Sequence, residues 1–191
     1  MKKVKEAIDE AEYLYQKMEE TLKTPMDFRS NLNAFLSRSR AVTWVLKKQL
    51  DNNPSFASWY SAQEKIMKND ELMAFFIDAR NISEKEYPIR PQSSGYIRNI
   101  TVSTNGKRGF AITGEGEPVW LEKNDKGEEK RSHAKEFDNE LSILYYFDNP
   151  QPPKLYQNLQ VIDLCGLYLK ALKSLIDEAI KRFDIKQEKA L

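Results

Sequence analysis

Apolar residues recur every three to four positions over the first half of this chain, alternate in its middle, and return to the longer interval before the C-terminus. A period near 3.6 lines up one face of a helix and a period of two lines up one face of a strand, so the order is helices, then strands, then helix. Val4, Ile8, Ala11, Tyr15, Met18 and Leu22 form a first stripe, with Lys and Glu between them, which predicts an amphipathic helix to about Lys23. Thr24-Pro25 then places an N-cap before a proline at the first helical position. Phe28, Leu32, Phe35, Val42, Leu46 and Gln49 continue one face of a long second helix, which ends near Asp51–Pro54. Phe56, Trp59, Tyr60, Ile66 and Met67 predict a third helix, and Asn69-Asp70 marks a break before a segment from Glu71 to Asn81. These two segments are either separate helices or one bent helix.

Beyond Tyr87-Pro88 the pattern becomes β-like. Tyr96–Val102 is expected to form a strand, Asn105-Gly106 a type I′ hairpin turn, and Phe110–Thr113 the returning strand. Val119–Leu121 gives a third strand, Glu122–Glu136 an exposed loop or hairpin tip, and Leu141–Phe147 a fourth strand closing the sheet. After the stiff connector Asn149–Pro153, the helical period resumes from Leu159 through Ile162, Cys165, Leu169, Leu172, Ile176, Ala179 and Phe183. The predicted fold class is α+β, mainly α. It is an up-and-down helical bundle (1–87 and 155–185) with an inserted antiparallel β-meander (95–148) before the C-terminal helix, all in one domain over 1–191.

Composition narrows the functional classes. A formal charge of +1 over 191 residues removes any global electrostatic drive toward nucleic acid, so such binding requires a local patch. The single cysteine, Cys165, lies among leucines and is expected as a buried thiol, consistent with a reducing cytoplasm. Leu72–Ile77, the longest apolar run, is too short to span a bilayer, and the lysines near the start precede no apolar segment, so neither membrane insertion nor export is expected. His133 is the only histidine and falls in a charged stretch, where it is expected to be solvated. A Cys/His metal site within one chain is thereby excluded, and Ser-His-Asp or Cys-His nucleophilic catalysis disfavoured. Gly114-Glu115-Gly116-Glu117 lacks the lysine and following helix of a phosphate-binding loop. Arg108–Ile112 is read as an ordinary hairpin strand rather than an RNA-stacking strand, because Ile112 stands where an aromatic is needed. No metal and no cofactor is expected.

The candidate binding residues are Arg29, Asn33, Arg40, Arg80 and Asn81. Arg29, Asn33 and Arg40 fall on one line of the second helix, beside the apolar line of Phe28, Leu32 and Phe35. The stretch Met73–Tyr87 carries an apolar face into Arg80-Asn81. These arginines either pair with carboxylates such as Asp27 or Asp78, or form an anion or nucleic-acid site that Arg80-Asn81 completes if the fourth helix packs beside the second. The aromatic stripe Phe56, Trp59, Tyr60, Phe75 and Phe76 is expected to be core.

The run FRSNLNAFLSRSRAVTWVL at Phe28–Leu46 and the phrase FFIDARN at Phe75–Asn81 resemble the HEPN-like helical families. They are also similar to bacterial proteins of unknown function that share the FxxxLNAFL, WY and RN phrases and a strand-rich insert. That resemblance implies a helical bundle, often dimeric, whose active members are metal-independent ribonucleases with an Arg, a polar residue and, a few positions on, a His. Arg80 and Asn81 match the first half of that motif, whereas Lys85, Glu86 and Tyr87 stand where the His belongs. The resemblance therefore implies a bundle without the ribonuclease reaction.

The expected function is a non-enzymatic binding or interaction protein, with RNA or a protein as partner and a homodimer as assembly. The dimer is suggested by the resemblance and by Trp44 and Val45, which flank the main stripe of the second helix. The alternatives are a metal-independent ribonuclease of a toxin or defence system, using Arg80 with Lys85 or Tyr87, and a small-ligand sensor whose strands form a lid.

Overall fold

The stripes predicted from the sequence close on one another. A computed structural model describes residues 1–97, 108–113, 117–124, 127–134 and 141–183. Five helices, α1 (Lys2–Glu20), α2 (Pro25–Gln49), α3 (Pro54–Asn69), α4 (Glu71–Lys85) and α5 (Val161–Phe183), are joined with five strands, β1 (Gln92–Ile97), β2 (Arg108–Ile112), β3 (Pro118–Lys123), β4 (Glu129–His133) and β5 (Leu141–Tyr146). All the described strands lie between α4 and α5, so the mainly helical α+β class holds. Among the described residues no helix is long and apolar enough to cross a membrane.

Local chemistry sets the helix ends. Thr24 occupies the N-cap of α2, yet its hydroxyl turns back to donate to the Thr21 carbonyl at 3.2 Å. Asn53 caps α3 by accepting from the backbone N–H groups of Ser55 and Phe56 at 3.0 and 3.2 Å. Asp70 accepts from the Met73 N–H at 2.9 Å, which starts α4 anew and makes α3 and α4 separate helices. Gln49, at the far end of α2, explains its place on an apolar stripe: its side-chain oxygen accepts from the Val4 N–H at 3.2 Å, one of the orphan donors that open α1.

The core is organised by aromatic rings. Phe76 of α4 lies parallel to Tyr168 of α5 with centroids 4.2 Å apart, and edge-on to Phe35 of α2 at 6.5 Å and to Phe147 at 6.2 Å. α3 is anchored by Phe56 and Trp59 against Phe183, with Tyr60 tilted against both of those α3 rings. α1 comes close to α5 at Gly166, where an added Cβ would lie 3.1 Å from the Tyr15 hydroxyl oxygen. Cys165 is fully buried, and desolvation pushes its thiol well above the ordinary range.

The strands form two antiparallel groups rather than one sheet. β2, β3 and β4 form a meander in consecutive order whose third strand, β4, falls in the segment expected as a loop or hairpin tip, whereas β5 closes onto β1 rather than onto that meander, with Gln92 opposite Tyr146 and Ile97 opposite Leu141. The first strand begins at Gln92, ahead of the expected Tyr96, because β5 supplies a partner for residues of low strand propensity. Alternate β5 residues Ile143 and Tyr145, followed by Phe147, enter the helical core. Tyr145 stacks on Phe28 at 3.9 Å, and its hydroxyl donates to the Leu22 carbonyl at 3.0 Å. Across the segment expected as a loop or hairpin tip, β3 pairs with β4 as a hairpin; Gly127 between them has φ +81, and the five residues of β4 are all exposed. His133 is thus a strand residue, exposed as expected. The Asn105-Gly106 turn, the residues from Arg98 to Val102, and Gly114–Gly116 lie outside the described residues.

Phe76→Ala is expected to destabilise the chain by about 3–5 kcal/mol, read as a lower urea midpoint, since α2, α4, α5 and the residue that follows β5 meet at that ring. Burial raises the Tyr168 hydroxyl to about 12 from its ordinary 10.0. Between those pH values the unfolded chain releases this proton and the folded chain keeps it, so stability falls as pH rises through the window. Tyr168 accounts for roughly 2–3 kcal/mol of that fall. Urea midpoints collected from pH 9 to 12 for the wild type and Tyr168→Phe are expected to show a shallower decline in the variant.

Candidate functional site

Ser37, Arg40, Ala41 and Trp44 lie along one side of α2, and Ile77, Arg80 and Asn81 along the adjoining side of α4. Spacings of three and four put each set on one line, and the Phe35–Phe76 contact sets the two helices side by side. Between them is an open cleft of about 350 Å³. A second cleft of about 470 Å³ shares Arg40 and Trp44 with the first and continues to Lys47, Lys48 and Tyr60. Trp44 stands at the junction with 73 % of its surface exposed.

The two arginines are held differently. Arg40 donates from Nη1 to the Thr43 hydroxyl and makes no ion pair with any described residue. Arg80 places Nη2 2.5 Å from the Glu84 carboxylate and donates from Nη1 to the Asn81 side-chain oxygen at 3.1 Å. Its Nε is buried with no partner. A desolvated donor left open costs about 1–3 kcal/mol, so the Arg80 fork is under-bonded where it stands. Glu84 also accepts from the Ser37 hydroxyl at 2.7 Å and so bridges α4 to α2. The carboxylate that Arg80 uses is therefore Glu84, one turn along its own helix, and not Asp27 or Asp78.

Of the residues singled out from sequence, Arg40, Arg80 and Asn81 come together. Arg29 lies elsewhere: it donates to the Met26 sulfur at 3.2 Å and, with Arg90, lines a separate cleft of about 300 Å³. Asn33 is occupied by the fold. Its side-chain oxygen accepts from the Ile89 N–H at 2.8 Å and the Ser83 hydroxyl at 2.5 Å, and its nitrogen donates to the carbonyls of Ile89 and Arg29 at 3.0 and 2.8 Å. This amide pins the chain leaving α4 to the middle of α2. Trp44 and Val45 part company, since Val45 packs against the core. Sequence reasoning passed over Ser37, Ile77, Lys47 and Lys48, although the line Ser37, Arg40, Trp44, Lys48 at helical spacing carried the signal. His133, on β4, is absent from the lining of both clefts. Among the described residues no group of three or more His, Cys, Asp or Glu side chains is placed to hold a metal ion.

Residues 1–100, which include α1 to α4 and the whole Arg40–Arg80 cleft, match the family model described as bacteriophage lambda protein ea47. The chain belongs to that family. Protein ea47 of Escherichia phage lambda is 41 % identical to it over 64 residues, which are 32 % of this chain and 15 % of the relative. The chain thus matches about one seventh of that relative's length. No solved structure matches.

The family match overturns the HEPN-like resemblance. Both phrases that carried the resemblance lie within residues 1–100, which are those the ea47 family model matches. They are short, and their polar residues have structural work in this fold: Asn33 of FRSNLNAFL is the amide that pins Ile89, and Asn81 of FFIDARN accepts from Arg80.

Asn33→Ala would leave the buried Ile89 N–H and carbonyl without partners. A loss of about 3 kcal/mol is expected in urea unfolding, against about 1 kcal/mol for Ser83→Ala.

Proposed function

We propose that the chain is a non-enzymatic binding protein that holds an anionic group of its ligand in the cleft between α2 and α4. The observation that supports this most directly is the chemistry of the cleft wall. It offers two arginines, an amide, a hydroxyl and an indole, its lining includes no His or Cys, and the Glu84 carboxylate beside it is already engaged by Arg80 and Ser37. Arginine stays charged when half-buried and presents several donors in one plane, which suits a phosphate or carboxylate. Arg40, without an acidic partner, supplies the first contact. Arg80, with its orphaned Nε, gains a partner if an anion re-aims its fork. In this reading the bundle and the β1–β5 ribbon act as one domain, because Ile143, Tyr145 and Phe147 belong to the helical core.

Thermal unfolding in the presence of pyrophosphate and, separately, polyglutamate tests the reading. At a hundredfold excess over Kd, a bound anion raises Tm by roughly 5–10 °C for a chain of this size. The rise is expected in the wild type and absent in Arg40→Ala. An equal response from both proteins, or none from either, would sink the proposal.

A further inference from the structure

The two clefts that meet at Arg40 and Trp44 form one run along α2, and aromatic and cationic side chains interleave along it. Arg80 and Arg40 come first, then the exposed indole of Trp44, then Lys47 and Lys48. Arg40 to Trp44 is one helical turn, roughly 6 Å along the axis, and Lys48 lies one turn further. Against these four cations stand Asp51 and Glu64 in the lining and Glu84 beside Arg80; Glu64 is bound to Lys47 at 3.4 Å and Glu84 to Arg80 at 2.5 Å, which leaves Arg40 and Lys48 outside those two ion pairs. The two cations outside those ion pairs, Arg40 and Lys48, flank Trp44 on one line of α2. Holding an indole 73 % exposed between cations has no use in the packing of the fold.

From this arrangement we propose that the ligand is a single-stranded nucleic acid lying along α2, with a base stacked on Trp44 and its flanking phosphates on Arg40 and Lys48. The inference rests on the anion-binding reading and names the ligand's class. Every base has a π-face, so one indole serves any sequence, while the cations on either side track the backbone. A duplex keeps its bases stacked inside and cannot offer one to Trp44. An acidic protein segment would satisfy the arginines and lysines but leave the flat, exposed indole without its partner. Arg29 and Arg90 line a further cleft about 16 Å along α2 from Arg40, which lets a longer strand gain contacts.

The test is titration of the purified chain with a short labelled single-stranded RNA, its single-stranded DNA counterpart and the duplex of that DNA, read by anisotropy and by tryptophan emission. The same salt series, from roughly 50 to 200 mM, is run on wild type, Trp44→Ala and Arg40→Ala. The proposal expects quenched emission, binding weakened about tenfold or more in Trp44→Ala, and a shallower salt dependence in Arg40→Ala. Because Trp44 is exposed, Trp44→Ala should unfold at the wild-type temperature, which separates lost stacking from lost folding. Binding of duplex as tight as single strand, or binding indifferent to Trp44, would overturn it. If polyglutamate binds through Arg40 while no single strand does, the nucleic-acid inference fails and the anion-binding reading stands. If neither binds, both fail.

Discussion

One aromatic junction sets the geometry of this chain. Phe76 meets Tyr168 face to face and Phe35 and Phe147 edge to face, so α2, α4, α5 and the end of β5 share a single point of closest approach. Planar rings in these orientations resist sliding more than branched aliphatic side chains do, because both the offset and the tilt carry energy. The outward sides of α2 and α4 are consequently fixed in angle and distance, and that is what places Arg40 opposite Arg80. A second fastening, the Asn33 amide on both backbone groups of Ile89, keeps the chain that leaves α4 against α2.

These two fastenings differ in how visible they are in sequence. Phe35 and Phe76 belong to stripes of helical period and announce themselves as core. Asn33 sits on the border of such a stripe, where an amide is equally consistent with solvent, ligand or structural duty. Its partner Ile89 is 56 residues away and precedes the strands, so no local pattern could assign it. Arg40 and Arg80 were legible as a pair once α4 was placed beside α2, but the role of Glu84 as bridge and the exposure of Trp44 follow only from the packed side chains.

The strands show the same division. β5 was legible because Leu141–Phe147 is a run of β-favouring branched and aromatic residues, although its pairing with β1 was not. β4 was not, because Glu129–His133 is polar on both faces and owes its conformation to pairing with β3. β1 starts with Gln, Ser and Ser, and its partner is a strand reached only after the meander has been traversed. Strand order is a tertiary choice, and alternation within a segment says which face is wet, not which neighbour it will have. The family phrases misled for a related reason: a short run of Leu, Asn and Phe around a polar residue reports that a helix is packed, and many unrelated bundles satisfy that condition.

The β1–β5 ribbon has a topological consequence. Opposed residues in an antiparallel pair lie about 5 Å apart, so Ile97 and Leu141 bring the two ends of everything between them to one spot. The intervening stretch therefore leaves and rejoins the bundle at one clasp, whose β5 side is part of the helical core through Ile143 and Tyr145. The family match ends at residue 100, just past the first half of that clasp. Such a design lets the stretch between Ile97 and Leu141 change while the α2–α4 face is kept, with the ribbon as the seam between them.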